Sequence, residues 1–251
     1  MKGEVEVVGE DIKQMLQEKF NAGYYVNSVY RLLNRLDIIW ITGRSIHPKA
    51  DKEAQEEFKK NFQDLIKKCL PVNVPLDEVD IWLQDETRAG QKGITTRQWA
   101  KKGTRPRVVK QQQHISVYLF GAICPDREQS AALILPDCNT KMMELHLNEI
   151  SRQVPEGRHA VVVLDKASWH TTEKLKLPEN ISLLPLPAYS PELNPMEQVW
   201  EFIKQKWLSN RAYKDYEEIA DSCAKAWNLF RNEAGRIKSL CSREWAVSVV
   251  N

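Results

Sequence analysis

The chain has 251 residues, 42% of them hydrophobic and 28% charged, a composition that supports a packed core and excludes wholesale disorder. No apolar run is long enough to cross a bilayer, and the N-terminal MKGEVEVVGE lacks the apolar segment of a secretory signal. Five scattered cysteines without a CxxC pair argue against a disulfide framework or a zinc site and suit a cytoplasmic setting, while the net charge of +2 excludes nothing as a total.

In chain order, residues 10–36 read as two short amphipathic helices. In the first, Ile12, Met15, Leu16 and Phe20 share a face; in the second, Val29, Leu32, Leu33 and Leu36 fall at helical spacing. The other face of the second helix presents Asn27, Ser28, Tyr30, Arg31, Asn34 and Arg35, side chains that contact phosphates and base edges. NAGYY forms the turn between them, and DIIWIT after them suits a wing strand. The pattern is that of a small helix-turn-helix (winged-helix-like) unit over 1–46, although amphipathic helix pairs are common in any core. Residues 47–76 read as a linker with one charged connecting helix, N-capped by Asp51 and stopped by Pro71 and Pro75.

From about residue 77 the pattern changes. DEVDIWLQDE alternates as a strand, HISVYLFGAIC and SAALILP are further strands, and residues 139–153 are helical. HAVVVLD is a continuous apolar run, as expected of a strand buried on both faces. ISLLPLP is another strand, followed by helices over 195–209 and about 215–231. The expected architecture over 77–251 is an α/β domain with a mixed sheet flanked by helices. Between Arg88 and Lys110 lie Arg88, Lys92, Arg97, Lys101, Lys102, Arg105, Arg107 and Lys110, with no acid among them. Such a block suits a polyanion, or equally a solvated hairpin.

Three carboxylates stand at expected element ends. Asp85 closes the first strand on the face of Ile81 and Leu83, with Glu86 opposite. Asp165 ends the most apolar strand, where a carboxylate is costly unless paired or bound to a cation. Glu197 falls in the first turn of a helix that Asn194 would cap and Pro195 would open. It can close a capping box worth about 1 kcal/mol, or it can be a ligand held at the margin of the buried stripe Met196, Val199, Trp200, Ile203 and Trp207. Glu201 shares its side and is the alternative ligand. Together the three make an all-oxygen site of the kind that takes Mg²⁺ or Mn²⁺. Two such ions about 4 Å apart clamp the oxygens of an in-line phosphoryl displacement.

Three segments resemble the DDE transposases of the mariner superfamily, in particular their bacterial insertion-sequence branch: LQDETRAGQKGITTRQWAKKGTRP, VVLDKASWH and LPAYSPELNPMEQVWEFIK. The last is the most specific. The likeness is strong over residues 77–210, and the N-terminal helices resemble half of the family's bipartite DNA-binding region. It implies an RNase H-like fold and the metal triad Asp85, Asp165 and Glu197. It also implies Mg²⁺, replaceable by Mn²⁺, in a two-ion site. The activity it implies is strand cleavage by water, then attack of the freed 3′-hydroxyl on target DNA. The partners would be double-stranded DNA, as terminal repeats and target, and a second copy of the chain to pair two ends.

The chain departs from the family pattern in three ways. Lys166 stands where relatives usually carry Asn, and it could contact phosphate. The spacing from Asp165 to Glu197 (197 − 165 = 32) is slightly short. The chain starts where a second helical unit would be expected, as in a truncated or split frame. His170 could orient a metal ligand or a phosphate, or be a satisfied structural histidine. A nuclease without strand transfer and a silent DNA-binding remnant are the rival functions.

Overall fold

The computed structural model describes residues 8–39, 47–170 and 172–247. They fall into two compact units that divide between Ser45 and Ile46.

In the first unit, α1 (Gly9–Phe20) starts with the Val8 amide donating to Asp11 Oδ2 and ends at Asn21 in the left-handed conformation. α2 (Val26–Arg35) turns Val29 fully inward. Asn27, Arg31, Asn34 and Arg35 are exposed and Ser28 is half-buried, as the amphipathic pattern requires. Of the expected wing strand over 37–42, Asp37, Ile38 and Ile39 are exposed and carry no strand, and residues 40–42 lie outside the described residues.

The second unit opens with α3 (Lys52–Lys60), whose cap is Asp51: its carboxylate accepts from the amides of Glu53 and Ala54. The single connecting helix expected here is broken at Asn61, and α4 (Phe62–Cys69) continues. Phe58, Phe62 and Ile66, spaced four apart, all bury in the core of the sheet domain. The sheet has five strands: β1 (Val79–Gly90), β2 (Ser116–Cys124), β3 (Gln129–Leu135), β4 (His159–Leu164) and β5 (Ile181–Pro185), in spatial order β3-β2-β1-β4-β5. β1 pairs antiparallel with β2 and parallel with β4; β2–β3 is antiparallel and β4–β5 parallel. The mixed sheet expected from the sequence is therefore present.

Strand alternation sorts the core into two layers. Ile81, Leu83, Val117, Leu119, Val161 and Val163 pack under α4, α6 (Met196–Ile203), α7 (Tyr216–Arg231) and α8 (Arg236–Cys241). Trp82, Phe120, Ala122, Val162 and Leu164 pack under α5 (Thr140–Gln153). A short helix, α9 (Glu244–Val247), follows. At the end of the sheet remote from the basic block, buried Asp80 accepts from both Arg127 and Arg158, and Arg158 also donates to the carbonyls of Asp77 and Val79. The stretch from Gln91 to Ile115 between β1 and β2 has neither helix nor strand.

Candidate active site

β1 and β4 carry the first two carboxylates to the same end of the sheet. Their pairs run from Val79 with His159 to Leu83 with Val163, a constant offset of 80 (159 − 79 = 163 − 83 = 80). Asp85 and Asp165 each stand two residues beyond the last of these pairs, Leu83 with Val163. Asp165 is the first residue beyond β4. Asp85 is not at a strand end as expected: β1 continues five more residues, because antiparallel β2 goes on pairing with it from Asp85 with Gly121 to Gly90 with Ser116.

The third carboxylate arrives on α6. Asn194 Oδ1 accepts from the Met196 amide, while its Nδ2 donates to the Gln84 carbonyl, the residue before Asp85. One buried amide thus ties the helix start to β1. A capping box would hand the Asn194 amide to Glu197, but that amide donates to Pro191 O at 2.9 Å. Glu197 is also exposed rather than set at the margin of the buried stripe, because α6 turns Met196, Val199 and Trp200 to the core and leaves the intervening side open. Glu201 bonds Gln205 and does not line the cavity described next.

Asp85, Asp165 and Glu197 line a cavity of about 400 Å³, together with Lys166, Asn194 and Tyr189. Tyr189 holds a left-handed backbone (φ 55°) and stacks on His47 at 4.4 Å. A second cavity of about 410 Å³ shares Asp85 and Asp165 and adds Glu86, Arg88, Tyr118 and Trp169.

The charges in the site are unbalanced. Burial, then the charge of Glu197, then that of Glu86, push the Asp85 carboxyl up to about 8, against the opposing hydrogen bond from Trp200 Nε1 to Oδ2 at 2.9 Å. Asp165 is held below its ordinary value chiefly by the hydrogen bond from His170. His170 is itself raised to about 9: burial works against its charge, but hydrogen bonds to Asp165 and Glu86 outweigh that. Lys204 donates to Thr87; its pKa is lowered, by burial, although Glu197 and Asp85 act to raise it.

Among the described residues, no three His, Cys, Asp or Glu side chains are drawn together closely enough to enclose an ion. The donor set nonetheless fits a hard divalent cation. Asp85, Asp165 and Glu197 face the cavity with the carboxylate oxygens such a cation takes, and the charges of Glu197 and Glu86 add to burial in raising Asp85.

The basic block divides between strand and loop. Arg88 lies in β1, and Lys92, Arg97, Lys101, Lys102, Arg105, Arg107 and Lys110 are exposed on the irregular stretch. Its two ends are pinned to one segment. Gln91 and Gln111 both donate to Tyr213 O; Thr96 N donates to Asn210 Oδ1, and Asn210 N to Ile94 O. Between these anchors Trp99 is fully exposed.

Sequence reasoning missed Trp200, Lys204 and the partnership of Glu86 with His170. For the first two a signal existed: they lie three and seven residues after Glu197, at helical spacing.

A family profile described as "DDE superfamily endonuclease" matches residues 80–220, and one described as "Winged helix-turn helix" matches residues 7–62. The second therefore extends past α2 through α3. The chain is 52% identical over 129 residues, 51% of its length, to "Uncharacterized protein y4pE/y4sA" of Sinorhizobium fredii, covering 96% of that protein. In fold it resembles a pre-cleavage Mos1 transpososome (TM-score 0.55, 15% identity, 95% of this chain and 76% of that chain). It also resembles the Mos1 mariner paired end complex with Mn (0.56, 14%, 100% and 77%). The Mos1 Strand Transfer Complex is similar at 0.54 and 16%, over 100% of this chain and 81% of that one.

Proposed function

Because the chain belongs to the DDE superfamily of endonucleases, we propose that it is a DNA transposase of the insertion-sequence kind. It cuts DNA at element ends and joins the freed ends to a target. The observation that carries this is the convergence of Asp85, Asp165 and Glu197 on one cavity. Those three side chains would hold Mg²⁺, or Mn²⁺ in its place, as a pair of ions. When bound, the ions supply Lewis-acid stabilisation of the oxygens attacking and leaving phosphorus.

The chain's own residues prepare the site. Trp200 orients Asp85, His170 orients Asp165, and Asn194 sets the helix that carries Glu197. The basic arm and Arg88 offer cations to the phosphate backbone, and Lys166 adds one at the cavity wall. In the first unit Asn27, Ser28, Arg31, Asn34 and Arg35 form the face that reads duplex DNA.

In cleavage, a water oxygen bonds to phosphorus and the 3′-oxygen leaves with a proton. In joining, that 3′-hydroxyl attacks a second phosphodiester and displaces another 3′-oxygen. Mos1 structures captured before cleavage and in a strand transfer complex support both steps. The Mos1 paired-end complexes support a homodimer that holds two ends. The setting would be the bacterial cytoplasm, on nucleoid DNA.

The test is nicking of supercoiled plasmid with and without Mg²⁺ or Mn²⁺, beside Asp165→Asn. A labelled 3′-end is then offered to a target duplex. Metal-dependent nicking and joining, both lost in the variant, are expected. Nicking without joining would reduce the protein to a nuclease. No nicking by folded protein would make it a silent DNA-binding remnant.

A further inference from the structure

Asp85 and Glu86 are neighbours on β1, so the pleat sends them to opposite faces of the sheet. Asp85 enters the cavity with Glu197. Glu86 goes to the other side, where its side chain is 8% exposed. A carboxylate so buried is costly unless it is hydrogen-bonded. Its donors both come from the turn that follows β4: His170 Nε2 at 2.8 Å and Trp169 Nε1 at 3.4 Å. The His170 ring is 1% exposed, and its other nitrogen, Nδ1, meets Asp165 Oδ1 at 2.8 Å. Glu86, His170 and Asp165 therefore form a chain that passes from β1 to the turn beyond β4.

That chain spans the point where the backbone stops holding the two strands together. The last β1–β4 pair is Leu83 with Val163. Beyond it Asp165 sits in a turn closed on itself, with Asp165 Oδ1 accepting from Ala167 N and Ala167 O accepting from His170 N. β5 still holds the backbone as far as Leu164, whose carbonyl accepts from Leu186 N, but no β1–β4 pair reaches Asp165, so its link back to β1 runs through side chains. We propose that Glu86 is the positioning residue that fixes Asp165 opposite Asp85, acting through His170 with Trp169 in support. The proposal rests on the reading of Asp85, Asp165 and Glu197 as cation ligands.

The test is Mn²⁺ binding by the purified full chain without DNA, followed by electron paramagnetic resonance, with circular dichroism and a thermal melt on each variant. Glu86→Ala is expected to weaken Mn²⁺ binding about ten- to a hundredfold, as loss of a partner behind a ligand does. Glu86→Gln keeps an oxygen acceptor for the imidazole and is expected to restore most of the affinity. His170→Asn keeps a donor near Asp165 but cuts the link to Glu86, so it too weakens binding. Adding Glu86→Ala to it brings no further loss, because the two act as one path.

Wild-type Mn²⁺ affinity in Glu86→Ala, with binding lost in Asp165→Asn, would overturn the proposal and leave the ligand reading standing. Wild-type affinity in Asp165→Asn would overturn the ligand reading, and this proposal with it. Should Glu86→Ala not fold, His170→Asn decides: weakened binding supports the link, and wild-type binding rejects it.

Discussion

The Trp200 indole lies across the sheet and donates to Asp85 from 115 residues away, at 2.9 Å. Gly121 makes room for it. Gly121 is the β2 partner of Asp85, and a Cβ built there would overlap the Trp200 ring and touch the Met196 methyl. The hydrogen bond to Asp85 is thus a consequence of a missing side chain on the neighbouring strand. Trp200→Phe keeps an aromatic ring in the core but leaves the Asp85 oxygen without its donor. Stability is expected to fall by about 1–3 kcal/mol in a urea melt, with cleavage reduced. Gly121→Ala, which expels the ring, is expected to do both as strongly.

Glu197→Gln separates a capping role from a ligand role. The residue is exposed, and the amide a capping box would need is already bonded to Pro191. Unfolding free energy is expected to stay within about 0.5 kcal/mol of wild type. Metal-dependent plasmid nicking is expected to drop by more than about a hundredfold, since stabilisation worth several kcal/mol is removed. Retained nicking would remove Glu197 from the site.

The basic arm should reveal itself through salt. Replacing Lys101, Lys102 and Arg105 by Ala touches only exposed side chains, so the melting temperature is expected to hold. If each contacts one phosphate, the plot of log binding constant against log salt becomes shallower by about 2.7, from about 0.9 per contact. Fluorescence anisotropy with a labelled duplex over a salt series measures it. An unchanged slope would mean the arm does not touch DNA.

Arg158→Ala tests a part of the fold distant from the site. Asp80 is 4% exposed and takes hydrogen bonds from Arg158 and Arg127. Removing Arg158 leaves a buried carboxylate partly uncompensated, and a loss of about 3 kcal/mol is expected. Nicking per folded molecule should be unchanged, which calorimetry and the plasmid assay together would check.

Much of this was legible because it depends on local periodicity. Alternation in DEVDIWLQDE predicted the face of Asp85, and the continuous apolar run of HAVVVLD predicted a buried strand ending at Asp165, one residue past its observed end at Leu164. Asp51 was readable as a cap from residue type and place, whereas α6 starts one residue later than expected, with Pro195 rather than Asn194 at its cap, although Asn194 Oδ1 still accepts from the Met196 amide. Alternation does not say where one partner strand stops and another continues, so the extension of β1 along β2 to Gly90 was hidden. Helical periodicity likewise carried the connecting helix straight through Asn61, where the structure breaks it. Bonds made by side chains to partners far off in sequence, such as Glu86 with His170 or Gln111 with the Tyr213 carbonyl, leave no periodic trace at all.

The division of Asp85 and Glu86 between two faces of β1 makes the site intolerant of a kind of change that point substitution does not sample. A single residue inserted into β1 between the last β4 pair and Asp85 would reverse every side chain beyond it. Asp85 and Glu86 would each turn to the opposite face, and the His170 bridge would meet the wrong carboxylate. Drift in the length of this strand is therefore closed to the chain, while the irregular arm beyond Gly90, free of the ladder, can lengthen or shorten between its two anchors and leave the carboxylates where they are.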